Sequence, residues 1–166
     1  MNNTQSKSQI IDLIREKSSG THIASFITVN AEGVPCVRPM ATQEIDDTGC
    51  ITFMTSKESK KVHEIKNSPK VTLSYTAGND ITFVSLTGHA TFNEDREKIR
   101  QIWNPFHEAW FDGPSDPRIT LIEVTVHRFE YWDYTGGKIG AYTDMALSAI
   151  TGKKADGDQN EVFTVT

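Results

Sequence analysis

The sequence predicts a small, mainly β protein in which six or seven antiparallel strands close into a barrel, with a few peripheral helices. Three observations favour this class. Apolar and polar residues alternate in short runs, turn-forming sequences separate these runs, and few stretches have helical periodicity. A barrel is a common closed arrangement of such strands, and 166 residues suit a single domain, 1–166, with one core.

The first half of the chain contains one helix and a three-strand meander. Residues 8–18 place Ile10, Ile11 and Ile14 on one face of a predicted helix, and Gly20 follows its end. Alternating runs separated by turn sequences then predict strands at 22–29, 34–43 and 50–56. A second helix is expected from 57 to 66, with Ser56 as its N-cap.

The second half returns to strands. Alternation predicts them at 70–76, 81–92 and 118–134. Shorter helical patterns occur at 95–103 and around 144–150. The C-terminal segment, about 151–166, is expected to be loosely ordered, because most of it is polar and rich in turn residues.

Composition limits the class of partner. The formal net charge is −5, which argues against a nucleic-acid-binding protein, since such a protein needs a broad basic face. The sequence has no run of 18 apolar residues and no apolar signal core at its start, so a cytoplasmic protein without membrane contact is expected. Cys36 and Cys50 are too few for a disulfide framework and are expected to be buried thiols.

A local reversal of charge marks residues 53–75. Five lysines lie there with only two acidic residues, Glu58 and Glu64. Such a cluster could bind an anion or could simply be a solvated helix on which Lys57, Lys61 and Glu64 face water. The chemistry of the residues alone leaves both interpretations open.

The residues around this cluster suit a phosphate. A helix start supplies N–H donors and the positive end of a dipole. Thr55 and Ser56 add hydroxyl groups, and Lys60 and Lys61 lie in the first turn. Arg38 on an earlier strand carries a planar guanidinium that suits bidentate phosphate contact.

Several short motifs follow one another along the chain: "RPMA" at 38–41, "FMTS" at 53–56, "SKK" at 59–61, "NSP" at 67–69, "GHA" at 88–90 and "FEYWD" at 129–133. In this order they resemble the motifs of the pyridoxamine-phosphate-oxidase-like superfamily, the FMN-binding split barrels. The resemblance covers roughly residues 20–135. The late strand is similar to that of the general stress protein 26-like subgroup.

The resemblance implies FMN as cofactor, with FAD as an alternative, and a homodimer with flavin sites at the interface. The arginine and lysines would hold the phosphate, two strands would follow the ribityl chain and ring largely through backbone groups, and a tryptophan would pack near the ring. The implied cofactor-binding residues are Arg38, Met40, Ala41, Met54, Thr55, Ser56, Lys60, Lys61 and Trp132.

The chain departs from the true oxidases where they bind substrate. Gln43 stands where they carry a lysine for the substrate phosphate, and Phe83 stands where they carry a glutamine. Residues 138–140, "KIG", align with their Arg-Leu-His stretch. The cofactor half of the pattern is therefore kept and the substrate half is lost, so efficient oxidation of pyridoxine phosphate is not expected.

Two functions follow from this resemblance. The first is an FMN-dependent, stress-related oxidoreductase acting on an unknown small molecule. The second is a non-catalytic flavin-binding stress protein, a carrier or buffer. Flavin itself carries the redox chemistry, so the sequence needs no protein nucleophile or base in either case and names no catalytic residue.

Other candidate sites are less favoured. The five histidines are scattered, and "HEAWF" at 107–111 lacks the second histidine of a zinc HExxH motif, so no metal site is expected. Haem binding, which occurs among split barrels, would need one histidine as axial ligand. Three aromatic residues are expected in the core rather than in a lid over the flavin: Trp103, Phe106 and Trp110.

Overall fold

The computed structural model describes residues 7–18, 23–77, 82–134 and 158–164. Its helices are α1 (Lys7–Ser18), α2 (Lys60–Asn67) and α3 (Arg96–Ile102), followed by a 3-10 turn at Pro105–Ala109. The strands are β1 (Ile23–Val29), β2 (Pro35–Ile45), β3 (Cys50–Ser56), β4 (Lys70–Ala77), β5 (Thr82–Asn93), β6 (Ile119–Tyr134) and β7 (Asp158–Thr164).

Six strands form a closed antiparallel barrel, as the sequence predicts. The order is β3-β2-β1-β4-β5-β6, and β6 pairs with β3 to close the ring. β7 is an additional strand that pairs with residues 128–134 of β6, which we call the outer half of that strand. Each strand except β7 begins within one residue of its predicted start.

The barrel interior is apolar because alternate side chains of each strand point inward. Phe26 of β1 and Phe53 of β3 meet edge-to-face with ring centroids 5.1 Å apart. A smaller cluster, which includes Met54 and Ile99, lies under α3. Residues of the strands make up most of the larger cluster, and the helices add Ile14, Ile65 and, in the smaller cluster, Ile99.

Helix α2 carries the chain across one end of the barrel. It connects β3 to β4, and these strands are separated in the sheet by β2 and β1. Val62 and Ile65 are buried and anchor the helix, which contacts β1. The polar side chains of α2 are therefore brought above residues of β1 and β2 that are distant in the sequence.

Several expectations from the sequence are wrong. Residues 158–164 of the segment expected to be loose form strand β7, because Phe163 packs into the core. Ser59, rather than Ser56, is the N-cap of α2. Phe106 and Trp110 are 83% and 67% exposed instead of buried in the core.

Other expectations fall outside the residues that the structure describes. These are the helical pattern around 144–150 and the "KIG" segment at 138–140. Trp103 is half-buried and packs against the smaller cluster, which agrees with its expected place in the core. None of the helices in the described ranges is long and apolar enough to cross a membrane.

Candidate functional site

Strands β2 and β3 separate at one end, next to helix α2. Their cross-strand pairs run from Ile45–Ile51 to Thr42–Phe53. Among the described residues, 38–41 of β2 pair with β1 alone, and 54–56 of β3 pair with β6 alone. The facing backbone edges of 38–41 and 54–56 form what we call the β2–β3 gap.

Arg38 lies at the edge of the β2–β3 gap. Its side chain is 21% exposed. Its Nη1 donates hydrogen bonds to Thr28 Oγ1 at 2.9 Å and to Glu64 Oε2 at 2.8 Å. A guanidinium has five donors, so other N–H groups of Arg38 remain able to bind an anion.

Glu64 is the residue of this site that the sequence did not indicate. It belongs to α2, and its side chain is only 12% exposed, so it does not face water. Its Oε2 also accepts a hydrogen bond from Thr28 Oγ1. Burial tends to raise the pKa of this carboxyl, but the hydrogen bonds from Thr28 and Arg38, with the Arg38 charge, bring the pKa below its ordinary value.

Lys61 is the second cation of the site. Its Nζ donates to Thr55 Oγ1 at 3.0 Å. Burial lowers the pKa of the Lys61 ammonium, and the charge of Arg38 lowers it further, against an opposing effect of Glu64. Arg38 contacts Glu64 directly, Glu64 is mostly buried and Lys61 is half-buried, so Lys61 and Glu64 are not solvated residues of a surface helix.

The start of α2 completes the site. Ser59 is the N-cap, but its side chain makes no capping hydrogen bond to the helix. Its Oγ instead lies 3.4 Å from Thr55 Oγ1. The first N–H groups of a helix have no partner within the helix. Those of α2 thus lack a side-chain cap and lie beside hydroxyl groups and Lys61.

The site can therefore hold an oxyanion. Two half-buried cations, Arg38 and Lys61, are balanced by one carboxylate, Glu64, which leaves an excess of one positive charge. Hydroxyl groups and helix N–H groups supply further donors at the same place. The residues present fit the phosphate of a nucleotide such as FMN.

The remaining residues that the resemblance implies lie at three places: along the gap, around the start of α2, and on β6. Ala41 and Met54 lie on the two edges of the β2–β3 gap, with Met40 buried in the barrel core beside them. Ser56 ends β3, and Lys60 is exposed at the first residue of α2. Trp132 is half-buried on the outer half of β6, paired with Phe83 and Asn160.

The two cysteines are half-buried rather than fully buried. Burial, and after it the charges of Asp46 and Glu123, raise the pKa of the Cys50 thiol to about 11. A protonated thiol is a poor nucleophile. Cys50 therefore suits a structural role.

Two curated proteins are similar to this chain in sequence. General stress protein 26 of Bacillus subtilis is 33% identical over 127 residues, which cover 75% of this chain and 86% of that protein. Protein bli-3 of Neurospora crassa is 31% identical over 114 residues, 63% of this chain, and the match spans only 54% of bli-3.

Solved structures share the fold. The general stress FMN/FAD binding protein of Xanthomonas citri superimposes with a TM-score of 0.62 at 22% identity, covering 77% of this chain and 90% of its own. The family model for "Pyridoxamine 5'-phosphate oxidase like" proteins matches residues 5–156. This chain therefore belongs to the pyridoxamine 5'-phosphate oxidase-like family.

Proposed function

We propose that this protein binds FMN in the β2–β3 gap. The observation that carries the proposal is that the two unpaired backbone edges of this gap lie beside the positively charged start of helix α2. The phosphate would be held by Arg38, Lys60, Lys61, Thr55 and Ser56. The ribityl chain and ring would follow the backbone of Met40, Ala41, Met54 and Thr55. Residues 54–56 pair with 119–121 of β6, and Trp132 lies eleven residues further along that strand. Trp132 would therefore border the ring only of a flavin bound by the second copy in a homodimer.

The geometry supports this assignment in two ways. Backbone groups at 38–41 and 54–56 that lack a cross-strand partner can form hydrogen bonds with a bound molecule. The half-buried cations at one end match a ligand with a single phosphate. A relative of the same fold is named as an FMN/FAD binding protein, which favours flavin and leaves FAD as the alternative.

The protein would act as an oxidoreductase on a small molecule. Bound flavin supplies the hydride and electron transfer, while the chain positions the cofactor and shields it from water. Gln43 does not replace the lysine that binds substrate phosphate in the true oxidases, because it is neutral and its Nε2 donates to Ala41 O at 3.0 Å. The substrate is therefore a molecule other than pyridoxine phosphate.

The phosphate assignment is tested by replacing both lysines at the helix start. In Lys60→Ala with Lys61→Ala, the loss of charge-assisted contacts worth about 1.5–3 kcal/mol each should weaken FMN binding by about tenfold or more. Fluorescence titration measures this affinity. Riboflavin, which lacks the phosphate, should bind the variant and the unaltered protein equally.

The matched control is Lys66→Ala, an exposed lysine in the last turn of the same helix. Its FMN affinity should stay within about twofold, because a solvated charge contributes little. Equal FMN affinity in the double variant and in the unaltered protein would contradict the phosphate site.

Turnover separates an enzyme from a flavin carrier. We expect NADH or NADPH to reduce the bound flavin within seconds, followed by reoxidation with a quinone or nitro acceptor, measured by the loss and return of flavin absorbance in a stopped-flow instrument. Reduction over hours with every donor would instead indicate a non-catalytic flavin-binding protein. Sustained oxygen consumption with pyridoxine phosphate would contradict the loss of the oxidase substrate site.

We also propose a homodimer formed through the outer face of β1 and β2. The outward side chains of these two strands are mostly apolar: Ile23, Ile27, Val29, Pro35, Val37, Pro39 and Ala41. Val37 is 63% exposed. A contiguous apolar face of this kind is typical of an association surface.

A charge on this face should prevent assembly. We expect Val37→Glu to elute as a monomer in size-exclusion chromatography with light scattering and the unaltered protein as a dimer. Phe106→Glu, at an exposed site on the 3-10 turn, is the control and should remain dimeric. A dimeric Val37→Glu variant would place the interface elsewhere.

A further inference from the structure

Two exposed histidines on neighbouring strands face each other outside the candidate flavin site. His89 belongs to β5 and His127 to β6. His89 Nδ1 lies 2.7 Å from His127 Nε2, and the ring centroids are 4.7 Å apart. One ring N–H donates to the lone pair of the other ring, so two imidazole nitrogens are held at the spacing of neighbouring metal ligands.

A β-bulge sets this arrangement. Thr87 pairs with Arg128 and Gly88 with Val126, so His127 is an extra residue in β6. Both His127 and Arg128 are consequently exposed, whereas buried and less buried side chains alternate in the residues just before them, 122–126. A bulge re-aims the side chain of its extra residue, and this one directs His127 toward His89.

Gly88 permits the close approach of the strands at the bulge. A Cβ atom built at this position would lie 2.3 Å from the carbonyl oxygen of Thr125, which no other residue could accommodate without moving the backbone. The backbone position from which His127 reaches His89 is therefore fixed by the packing of the two strands.

We propose that His89 Nδ1 and His127 Nε2 chelate a divalent transition metal ion of the copper or nickel class. Metal–imidazole bonds of about 2.0–2.1 Å place cis nitrogens roughly 2.9 Å apart at a right angle and roughly 3.4 Å apart at the tetrahedral angle. The observed 2.7 Å is the length of the hydrogen bond that a metal ion would replace, so binding requires the two nitrogens to lose the shared proton and to move apart by only a few tenths of an ångström. Among divalent first-row ions, Cu²⁺ binds such nitrogen ligands most tightly, followed by Ni²⁺.

The chain supplies two ligands, and water would complete the coordination. Within the described ranges, no group of three or more His, Cys, Asp or Glu side chains is arranged to hold a metal ion. Lys70 is paired directly opposite His89 on β4, and Thr125 opposite it on β6. Such a site binds an exchangeable ion rather than a permanently bound structural metal.

The test is a titration of the purified full-length protein with Cu²⁺ alone, followed by calorimetry and by electron paramagnetic resonance. We expect one Cu²⁺ per chain at this site, with a spectrum showing two equatorial imidazole nitrogens. Loss of even a supporting residue costs about 10- to 100-fold in metal affinity, so loss of a ligand should cost at least about tenfold.

Three variants make the outcome decisive. His89→Ala and His127→Gln should each weaken Cu²⁺ binding and remove one nitrogen from the spectrum. His63→Ala, at an exposed histidine of α2, should change neither. Melting temperature and FMN affinity, measured for all three, should match those of the unaltered protein. The chelate would be overturned if His89→Ala and His127→Gln bound Cu²⁺ as tightly as the unaltered protein does. It would also be overturned if His63→Ala lost as much Cu²⁺ affinity as these two variants.

Discussion

Glu64 balances the charge of the candidate site. It shares Arg38 with Thr28 and occupies one of the guanidinium donors that a phosphate would use. A buried cation without a partner is costly, so this carboxylate stabilises the arrangement when no anion is bound. The same carboxylate repels a phosphate, and the two therefore compete for Arg38.

Glu64→Gln should tighten FMN binding. The amide keeps the size of the side chain and removes its negative charge, so Arg38 becomes fully available to the phosphate. Hydrogen bonds to charged groups contribute about 1.5–3 kcal/mol, and a partial gain should raise FMN affinity roughly fivefold. Fluorescence titration with FMN and riboflavin checks this, since riboflavin affinity should not change. An FMN affinity at or below that of the unaltered protein would refute the competition.

The lowered pKa of Glu64 also makes part of the folding stability depend on pH. Because this pKa lies below the ordinary value of 4.5, the unfolded state binds more protons than the folded state in acid. The stabilisation is complete above the unfolded pKa and is lost as the pH falls through the folded pKa.

Urea denaturation at a series of pH values measures this dependence. Below about pH 4.5 the free energy of unfolding should fall more steeply for the unaltered protein than for Glu64→Gln, since only the former has this titrating group. Parallel curves for the two proteins would show that Glu64 contributes nothing to the acid response.

Strand β7 packs against the barrel through one aromatic side chain. Phe163 is buried and stacks on Phe129 and Tyr131, with ring centroids 5.7 Å and 6.3 Å away. Its neighbour Val162 is 49% exposed. The alternation of these two side chains fixes which face of β7 meets the core.

Phe163→Ala should therefore release β7. Truncation of a buried phenylalanine costs about 3–5 kcal/mol, and here the whole loss falls on an edge strand of seven residues. Val162→Ala is the control, with an expected change below about 0.5 kcal/mol. Thermal melting and limited proteolysis after residue 157 report the difference, and equal protease resistance in both variants would contradict it.

Sequence patterns predict the barrel strands well because their signal is local. In β1, β4 and β5, buried residues occupy every second position, and this alternation can be read from the sequence. β7 escapes this reasoning because polar residues precede it and because its stability comes from Phe129 and Tyr131, about thirty residues earlier. The N-cap of α2 was misplaced since Ser56 and Ser59 are both suitable caps by residue type.

Contacts between residues that are distant in the sequence also limit what can be predicted of the candidate site. Arg38, Thr55 and Lys61 were indicated by residue chemistry, and the structure places Lys61 against Thr55 and close to Arg38. The sequence indicates Glu64 only as an acid that faces water if α2 is a solvated helix. Its contact with Arg38 joins residues 26 positions apart, and only the crossing of α2 over the barrel end creates it.

At the scale of the whole molecule, the crossover of α2 brings together the charged groups of the candidate site. The helix carries Lys61 and Glu64 over the strands that contain Thr28 and Arg38, β1 and β2. β3 separates from β2 next to the same helix. One connection thus supplies both the charges and the opening that a cofactor would use.

Strand β6 changes partners at its midpoint. Residues 119–125 pair with β3, and residues 128–134 pair with β7, on either side of the bulge at His127. The inner half is part of a closed ring, whereas the outer half belongs to an open sheet with one short edge strand. Backbone amides in the two halves should therefore exchange with deuterium at very different rates, with β7 and the outer half of β6 exposed by local opening while the ring remains protected.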